Sequence, residues 1–279
     1  VLWTRIAPSA EPPVRLNVDW EIARDEGFRE TVARGRETAH AGDGHSVHVE
    51  VAGLDPGRWY WYRFATGGEV SAAGRTRTAP SAGSTAPLAF AIASCQHWET
   101  GRYAAWRHAA DEPLDAIVFL GDYIYEGAAR SNRVRRHDGV GPAVTLDEYR
   151  ARYALYRSDA DLRRAHASVP WILTWDDHEV QNDYANDRGE DLAPDFLARR
   201  AAAYRAWWEN QPVPPRWRRK NSAMAMPCQC AIVHCPESGW INPDSHNVGC
   251  VGDAICKATV AYRLRIEVCW FGQDGNTAK

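Results

Sequence analysis

Apolar and polar positions follow two different rhythms along the chain. In "HSVHVEVAGLDPGRWYWYRF", Val47, Val49 and Val51 alternate with polar residues, the turn signal "LDPG" follows, and "RWYWYRF" alternates again. That pattern predicts a pair of strands joined by a turn. Together with "VRLNVDWEIARD" at residues 14–25 it predicts a sandwich of short antiparallel strands ending near Thr78. Trp59, Tyr60, Trp61 and Tyr62 are then expected in the sandwich core and its interface rather than on a ligand platform. Residues 79–87, "APSAGSTAP", carry no periodicity and read as a linker. Beyond them the apolar runs become continuous: "LAFAIASC" (88–95), "LDAIVFLGD" (114–122) and "VPWILTW" (169–175). Between and after them lie segments of helical spacing. These are "GRYAAWRHAADE" (101–112), "LDEYRARYALYRSD" with Leu146, Tyr149, Tyr153 and Tyr156 on one side, "DADLRRAHAS", and "PDFLARRAAAYRAWWEN" (194–210). Buried runs alternating with helices predict a layered α/β domain over residues 88–219.

Composition changes this picture little. At 279 residues with 45% apolar content the chain can fill a core, and a net charge of −3 provides no basic field for a nucleic-acid backbone. No apolar run reaches the length of a membrane span. The first residues, "VLWTRIAPSA", lack a Met start and the build of a signal peptide, so a chain cut from something longer is expected. The cysteines are informative by their distribution: Cys95 stands alone until Cys228, and all the others follow. Residues 220–279 form a divergent Cys-rich tail of weak pattern, without the paired C-x-x-C spacing of a zinc site. A tail that is not the natural continuation, as after a reading-frame shift, is the expectation there.

The chemistry concentrates at three strand ends. The first apolar run ends on Cys95, the second on Asp122 with Tyr125 in "IVFLGDYIYEG", and the third on Asp176, Asp177, His178, Glu179 and Asn182 in "DDHEVQND". In layered α/β folds the carboxyl ends of the strands form the ligand crevice. A carboxylate at the end of a buried strand is costly unless it is paired or binds a cation. A thiolate and a phenolate suit a strongly Lewis-acidic ion such as Fe³⁺, and an amide oxygen at Asn182 suits Ca²⁺. Each residue also has an ordinary reading, with Cys95 a small core residue, Asp122 a cap, Tyr125 a packing ring and His178 a salt-bridge partner. Their joint occurrence at three strand ends favours the metal site. His97, His108, His137 and His166 are read as surface or structural, and the basic "RSNRVRRHDG" (130–139) as a solvated loop.

"ASCQ", "FLGDYIYE" and "TWDDHEVQND" resemble the signature segments of PhoD-type alkaline phosphatases, and "VLWTR" with the β domain resembles that family's N-terminal domain. The L-x-P-G pattern followed by alternating aromatics is itself similar to fibronectin type III and related Ig-like domains. The likeness spans about residues 1–214 and implies a β-sandwich at 1–78 followed by a metallophosphoesterase-type layered domain, incomplete at its C-terminal end. It further implies Fe³⁺ held by Cys95, Asp122 and Tyr125, Ca²⁺ at Asn182, and a supporting or phosphate-facing role for Asp177 and His178. Hydrolysis of small phosphomonoesters and phosphodiesters by water activated at the ions, by a monomer in a secreted, periplasmic or surface location, follows from the same likeness. The family's further ligands, an aspartate and a G-D-x-H-like segment, are not found in residues 220–279, where "VGDAICKA" lacks the histidine. A fragment short of part of its site is therefore expected. A purple-acid-type or calcineurin-like metallophosphoesterase is the alternative enzyme, but it needs an N-H-E or N-H-D triplet where this chain has Asp177, His178 and Glu179. A non-catalytic β-sandwich adhesion module is the alternative outside enzymes, and it predicts no bound iron.

Overall fold

The computed structural model describes residues 1–7, 13–128, 133–137 and 142–218, and the backbone of 264–268. Seven strands come first: β1 (Leu2–Arg5), β2 (Arg15–Ala23), β3 (Thr31–His40), β4 (Ser46–Val49), β5 (Trp59–Thr66), β6 (Glu69–Val70) and β7 (Gly74–Arg77). They form two antiparallel sheets, β1 with β4, and β3-β2-β5 with β6 and β7 both paired to β5. Leu2, Val47 and Val49 of the first sheet share one buried cluster with Val18, Ala39 and Phe64 of the second.

The expected hairpin between "HSVHVEV" and "RWYWYRF" does not form. β4 pairs with β1, from Val49↔Leu2 to Ser46↔Arg5, while β5 pairs with β2. The reason lies in burial, since all four β4 residues are buried. Val47 and Val49 enter the shared cluster, and His48 on the opposite face stacks on Trp208 with ring centroids 4.2 Å apart. A strand covered on both faces is held by tertiary contacts that a local hairpin would not supply. β3, "TVARGRETAH", was not anticipated either, because as the edge strand of its sheet it exposes much of its length and carries charge instead of clean alternation.

The second part alternates strands and helices: β8 (Leu88–Ala93), α1 (Ala104–Asp111), β9 (Ala116–Phe119), α2 (Leu146–Arg157), α3 (Ala160–Ser168), β10 (Trp171–Leu173) and α4 (Phe196–Asn210). β8, β9 and β10 are parallel and adjacent in the order β10-β9-β8. β11 (Leu264–Val268) adds a parallel strand beside β8, within the tail for which no element was predicted. The cysteines from Cys228 onward lie outside the described residues. α2 starts at a capping box in which Thr145 and Glu148 satisfy each other's backbone N–H groups. It buries Tyr149, Tyr153 and Tyr156 completely, as their spacing predicted.

Of the histidines read as surface or structural, His137 is buried and His166 is half-buried against aromatic rings. His166 is stacked on Trp171 at 3.8 Å and within 2.9 Å of the Tyr123 hydroxyl, and His137 lies 3.0 Å from the Tyr156 hydroxyl. Arg135, in the segment read as a solvated loop, pairs with Asp159 at 2.7 Å and lies over the Trp98 ring.

The two parts pack directly against each other. Trp3 donates from its indole to the Glu209 carbonyl (3.2 Å), Arg5 to Asn210 Oδ1 (3.0 Å) and Arg75 to the Ser168 carbonyl (3.0 Å), and Arg77 pairs with Asp115. His48 Nδ1 donates to the Val213 carbonyl at 2.8 Å. Burial lowers His48 from the ordinary 6.5 to about 4, and burial holds His166 well below the ordinary value as well. The unfolded chain therefore takes up protons that the folded chain refuses as pH falls from 6.5 towards 4. Stability should drop across that window, by about 3 kcal/mol for His48 at full extent. Urea unfolding at a series of pH values measures this. His48→Gln, which keeps an N–H for Val213 and cannot titrate, should flatten part of the dependence, and an unchanged slope would remove His48 as its source.

Candidate functional site

Each of the three parallel strands runs into a turn that carries a reactive side chain. Past β8, Cys95 sits at φ +59, and past β9, Asp122 sits at φ +58, both in the left-handed region that non-glycine residues seldom occupy. The two turns are tied together, with Cys95 N donating to the Gly121 carbonyl (3.1 Å) and Gln96 N to the Asp122 carbonyl (3.2 Å). Gly121 itself lies at φ +110, where a Cβ would come within 2.5 Å of Asp176 N, so the end of β9 presses on the chain leaving β10.

Glu179 fixes that junction. Its fully buried carboxylate accepts from Asp122 N (3.1 Å), Asp176 N (2.7 Å) and Tyr123 N. Burial pushes its pKa up to about 8, with the Asp122 charge adding to the rise and the backbone N–H groups opposing it. The segment after Asp122 is pinned as well. The Tyr156 hydroxyl accepts from Tyr125 N (3.1 Å), and Arg152 donates to the Tyr125 carbonyl. A buried strand can end in "GDYIYE" because its backbone donors and acceptors find partners in side chains from α2 and from the loop after β10.

Within this frame Cys95, Asp122 and Tyr125 meet. The Tyr125 hydroxyl donates to Asp122 Oδ2 at 2.9 Å, and the Cys95 thiol lies within hydrogen-bonding reach of both. Burial raises the thiol and the phenol above their ordinary values and lifts Asp122 to about 6. Asp122 also belongs to a second group. Ligand atoms of Asp122, Asp177 and His178 lie within 4.8 Å of one another. Asp122 Oδ1 is buried and has no hydrogen-bond partner among the described residues. A carboxylate oxygen left without a donor, beside a thiol, a phenol, a carboxylate and an imidazole, fits a bound cation.

His178 is oriented by Glu126, whose Oε2 lies 2.8 Å from its Nδ1. Burial alone would lower the imidazole, but the Glu126 hydrogen bond and the charges of Glu126, Asp122 and Asp177 raise it to about 9. Its ring lies against Tyr125 at 4.1 Å, and the His97 ring packs against Tyr125 at 4.3 Å. His97 is therefore at the site, which its polar sequence context did not reveal. Asp177 organises the turn, its Oδ1 accepting from His178 N (3.0 Å) and its Oδ2 from Asp183 N (2.6 Å). Asn182 stands at the rim, its side-chain amide donating to Asp183 (2.9 Å) and Glu190 (3.4 Å) and its backbone N–H to Glu126 (2.8 Å). Sequence reasoning passed over Glu126, and named Glu179 among the strand-end residues without giving it a role. Their only signal was position, as acidic residues directly behind Tyr125 and His178.

Comparison with known proteins points one way. Residues 90–226 match the family described as PhoD-like phosphatase, and residues 1–80 match its N-terminal domain. The chain is 47% identical over 227 residues to alkaline phosphatase D of Bacillus subtilis (strain 168), covering 76% of this chain and 39% of that protein. It superposes on the solved structure of PhoD with a TM-score of 0.73 at 46% identity, covering 76% of this chain and 43% of that one. The chain thus spans about two fifths of the length of these relatives.

Proposed function

Since the chain belongs to the PhoD-like phosphatase family, we propose that it carries the first part of a metal-dependent phosphoester hydrolase, an alkaline phosphatase acting on small phosphomonoesters or phosphodiesters. The observation that carries the reading is Asp122. It lies in reach of Cys95 and Tyr125 on one side and of Asp177 and His178 on the other, with a buried oxygen still to be satisfied.

In this reading Cys95, Asp122 and Tyr125 hold Fe³⁺, and Asp122 with Asn182 contributes to a Ca²⁺ site. Bound there, such ions supply Lewis-acid polarisation of a phosphoryl oxygen and a water of lowered pKa. The chain's own residues do the rest. Glu179 ties the backbone at the ends of β9 and β10 together, and the Tyr125 hydroxyl holds the Asp122 carboxylate. With Nδ1 of His178 committed to Glu126, its Nε2 is the nitrogen left to hold a proton against a phosphoryl or leaving-group oxygen. Asp177 keeps the His178 turn in shape through its two backbone hydrogen bonds.

We take residues 1–78 as an N-terminal β-sandwich domain, 79–87 as a linker and 88–219 as the first part of a layered catalytic domain. The cluster shared by two antiparallel sheets and the parallel order β10-β9-β8 support this division. No helix among the described residues is long and apolar enough to cross a membrane. A secreted or surface-located monomer completes the proposal.

The test is elemental analysis for Fe and Ca, a visible spectrum, and turnover of p-nitrophenyl phosphate and its diester. The expected result is bound iron with a tyrosinate charge-transfer band that disappears in Tyr125→Phe. A protein purified with iron present that is colourless and metal-free would sink the proposal.

A further inference from the structure

Glu126 follows a proposed iron ligand in sequence, and its carboxylate reaches the loop after β10. It is 5% exposed, and its two oxygens are divided between two donors. Oε2 takes the Nδ1–H of His178 at 2.8 Å, and Oε1 takes the backbone N–H of Asn182 at 2.8 Å. Its own carbonyl accepts from Ala143 N at 2.8 Å, so its main chain is held too. A buried carboxylate with both oxygens committed to donors four residues apart in sequence acts as a clip across one turn of chain.

We propose that Glu126 is a positioning residue that sets two elements of the site at once, turning the His178 ring so that Nε2 faces Asp122 and Asp177, and anchoring the turn that presents Asn182. The inference deepens the metallophosphatase reading and rests on it for the meaning of His178 and Asn182. The clip itself is a matter of geometry. Glutamine replaces it only in part, because its single oxygen can still accept from Asn182 N, while its NH₂ can meet His178 only if Nδ1 gives up its proton or the ring turns.

NMR on the metal-free full chain tests the clip independently of any ion. In the wild type the His178 Nδ1–H should be observed, and the Asn182 amide should be protected from hydrogen exchange. Glu126→Ala should lose both, with exchange at Asn182 faster by tenfold or more, and Glu126→Gln should lose the His178 Nδ1–H, while β8 and β9 resonances stay in place in both variants. His178→Gln should leave the Asn182 amide protected, because that arm of the clip does not pass through the ring. Absence of either wild-type signature overturns the proposal whether or not the variant folds, as does an unchanged Asn182 amide and His178 proton in Glu126→Ala.

A second arm reads the ligands. Titration with CaCl₂ should show affinity about 10–100-fold weaker in Glu126→Ala. The iron–tyrosinate band should persist, since Cys95, Asp122 and Tyr125 are not hydrogen-bonded to the Glu126 side chain. Loss of both ions together with a lowered melting temperature would make Glu126 a general stabiliser and overturn the positioning role. If the wild type binds no Ca²⁺, the metal reading of Asn182 fails, and the NMR arm still decides the clip.

Discussion

Asp122→Asn should abolish iron binding and reduce any phosphoester hydrolysis by about three orders of magnitude, on the order of 4 kcal/mol of transition-state stabilisation. The argument rests on sharing. Asp122 is in reach of Cys95 and Tyr125 and also of Asp177 and His178, so its loss disconnects both halves of the site. The same substitution should have the opposite effect on the stability of the metal-free protein. Asp122 Oδ1 is buried with no partner among the described residues, and the carboxylate faces the buried Glu179 and the neighbouring Asp176 and Asp177. Removing a charge from such a place relieves a desolvation cost that the Tyr125 hydroxyl and the nearby His178 offset only in part. The urea midpoint of metal-free Asp122→Asn should therefore lie above that of the metal-free wild type, while added iron stabilises the wild type alone. A variant that is less stable without metal would show that Asp122 serves the fold, and the functional reading would lose its central residue.

The parts of this site that can be read from sequence are those set by local pattern. Continuous apolar runs mark the three parallel strands, although Ile172 of β10 is exposed, and the residues that end them, Cys95, Asp122 and the Asp176–Asn182 stretch, stand at strand termini wherever the sheet is placed. Cys95, Asp122 and Tyr125 do meet in the structure, as do Asp122, Asp177 and His178. What stayed hidden depends on partners distant in sequence. β4 alternates as well as any hairpin strand, and only the presence of β1 on one edge and Trp208 on one face decides that it leaves β5. His137 and His166 sit in polar surroundings in sequence, yet Tyr156, Tyr123 and Trp171 draw them inside. Glu126 and Glu179 are ordinary acidic residues until the backbone N–H groups they accept from are known.

The other large effect is expected at a residue with no side chain. Gly121→Ala should cost on the order of 4 kcal/mol and dismantle the site even though no ligand is touched. Two penalties add at this position. At φ +110 an L-residue is outside its allowed regions, and the new Cβ would lie 2.5 Å from both the backbone N and the Cβ of Asp176 and 2.9 Å from the Trp175 carbonyl carbon. Backbone offers no flexible end that can swing aside, so the strand ends must separate. Separation breaks what spans them: Glu179 loses its hold on Asp122 N or on Asp176 N, and Cys95 N moves with the Gly121 carbonyl that accepts from it. Gly67→Ala provides the comparison, because Gly67 has φ +58 with nothing within 4 Å of its virtual Cβ. There only the left-handed conformation is penalised, at about 1–2 kcal/mol, and the iron–tyrosinate band should be unchanged. Urea unfolding and the visible spectrum of both variants separate the two terms. If Gly121→Ala costs no more than Gly67→Ala and keeps its band, the close approach of β9 to the chain leaving β10 is not what holds Asp122 in place.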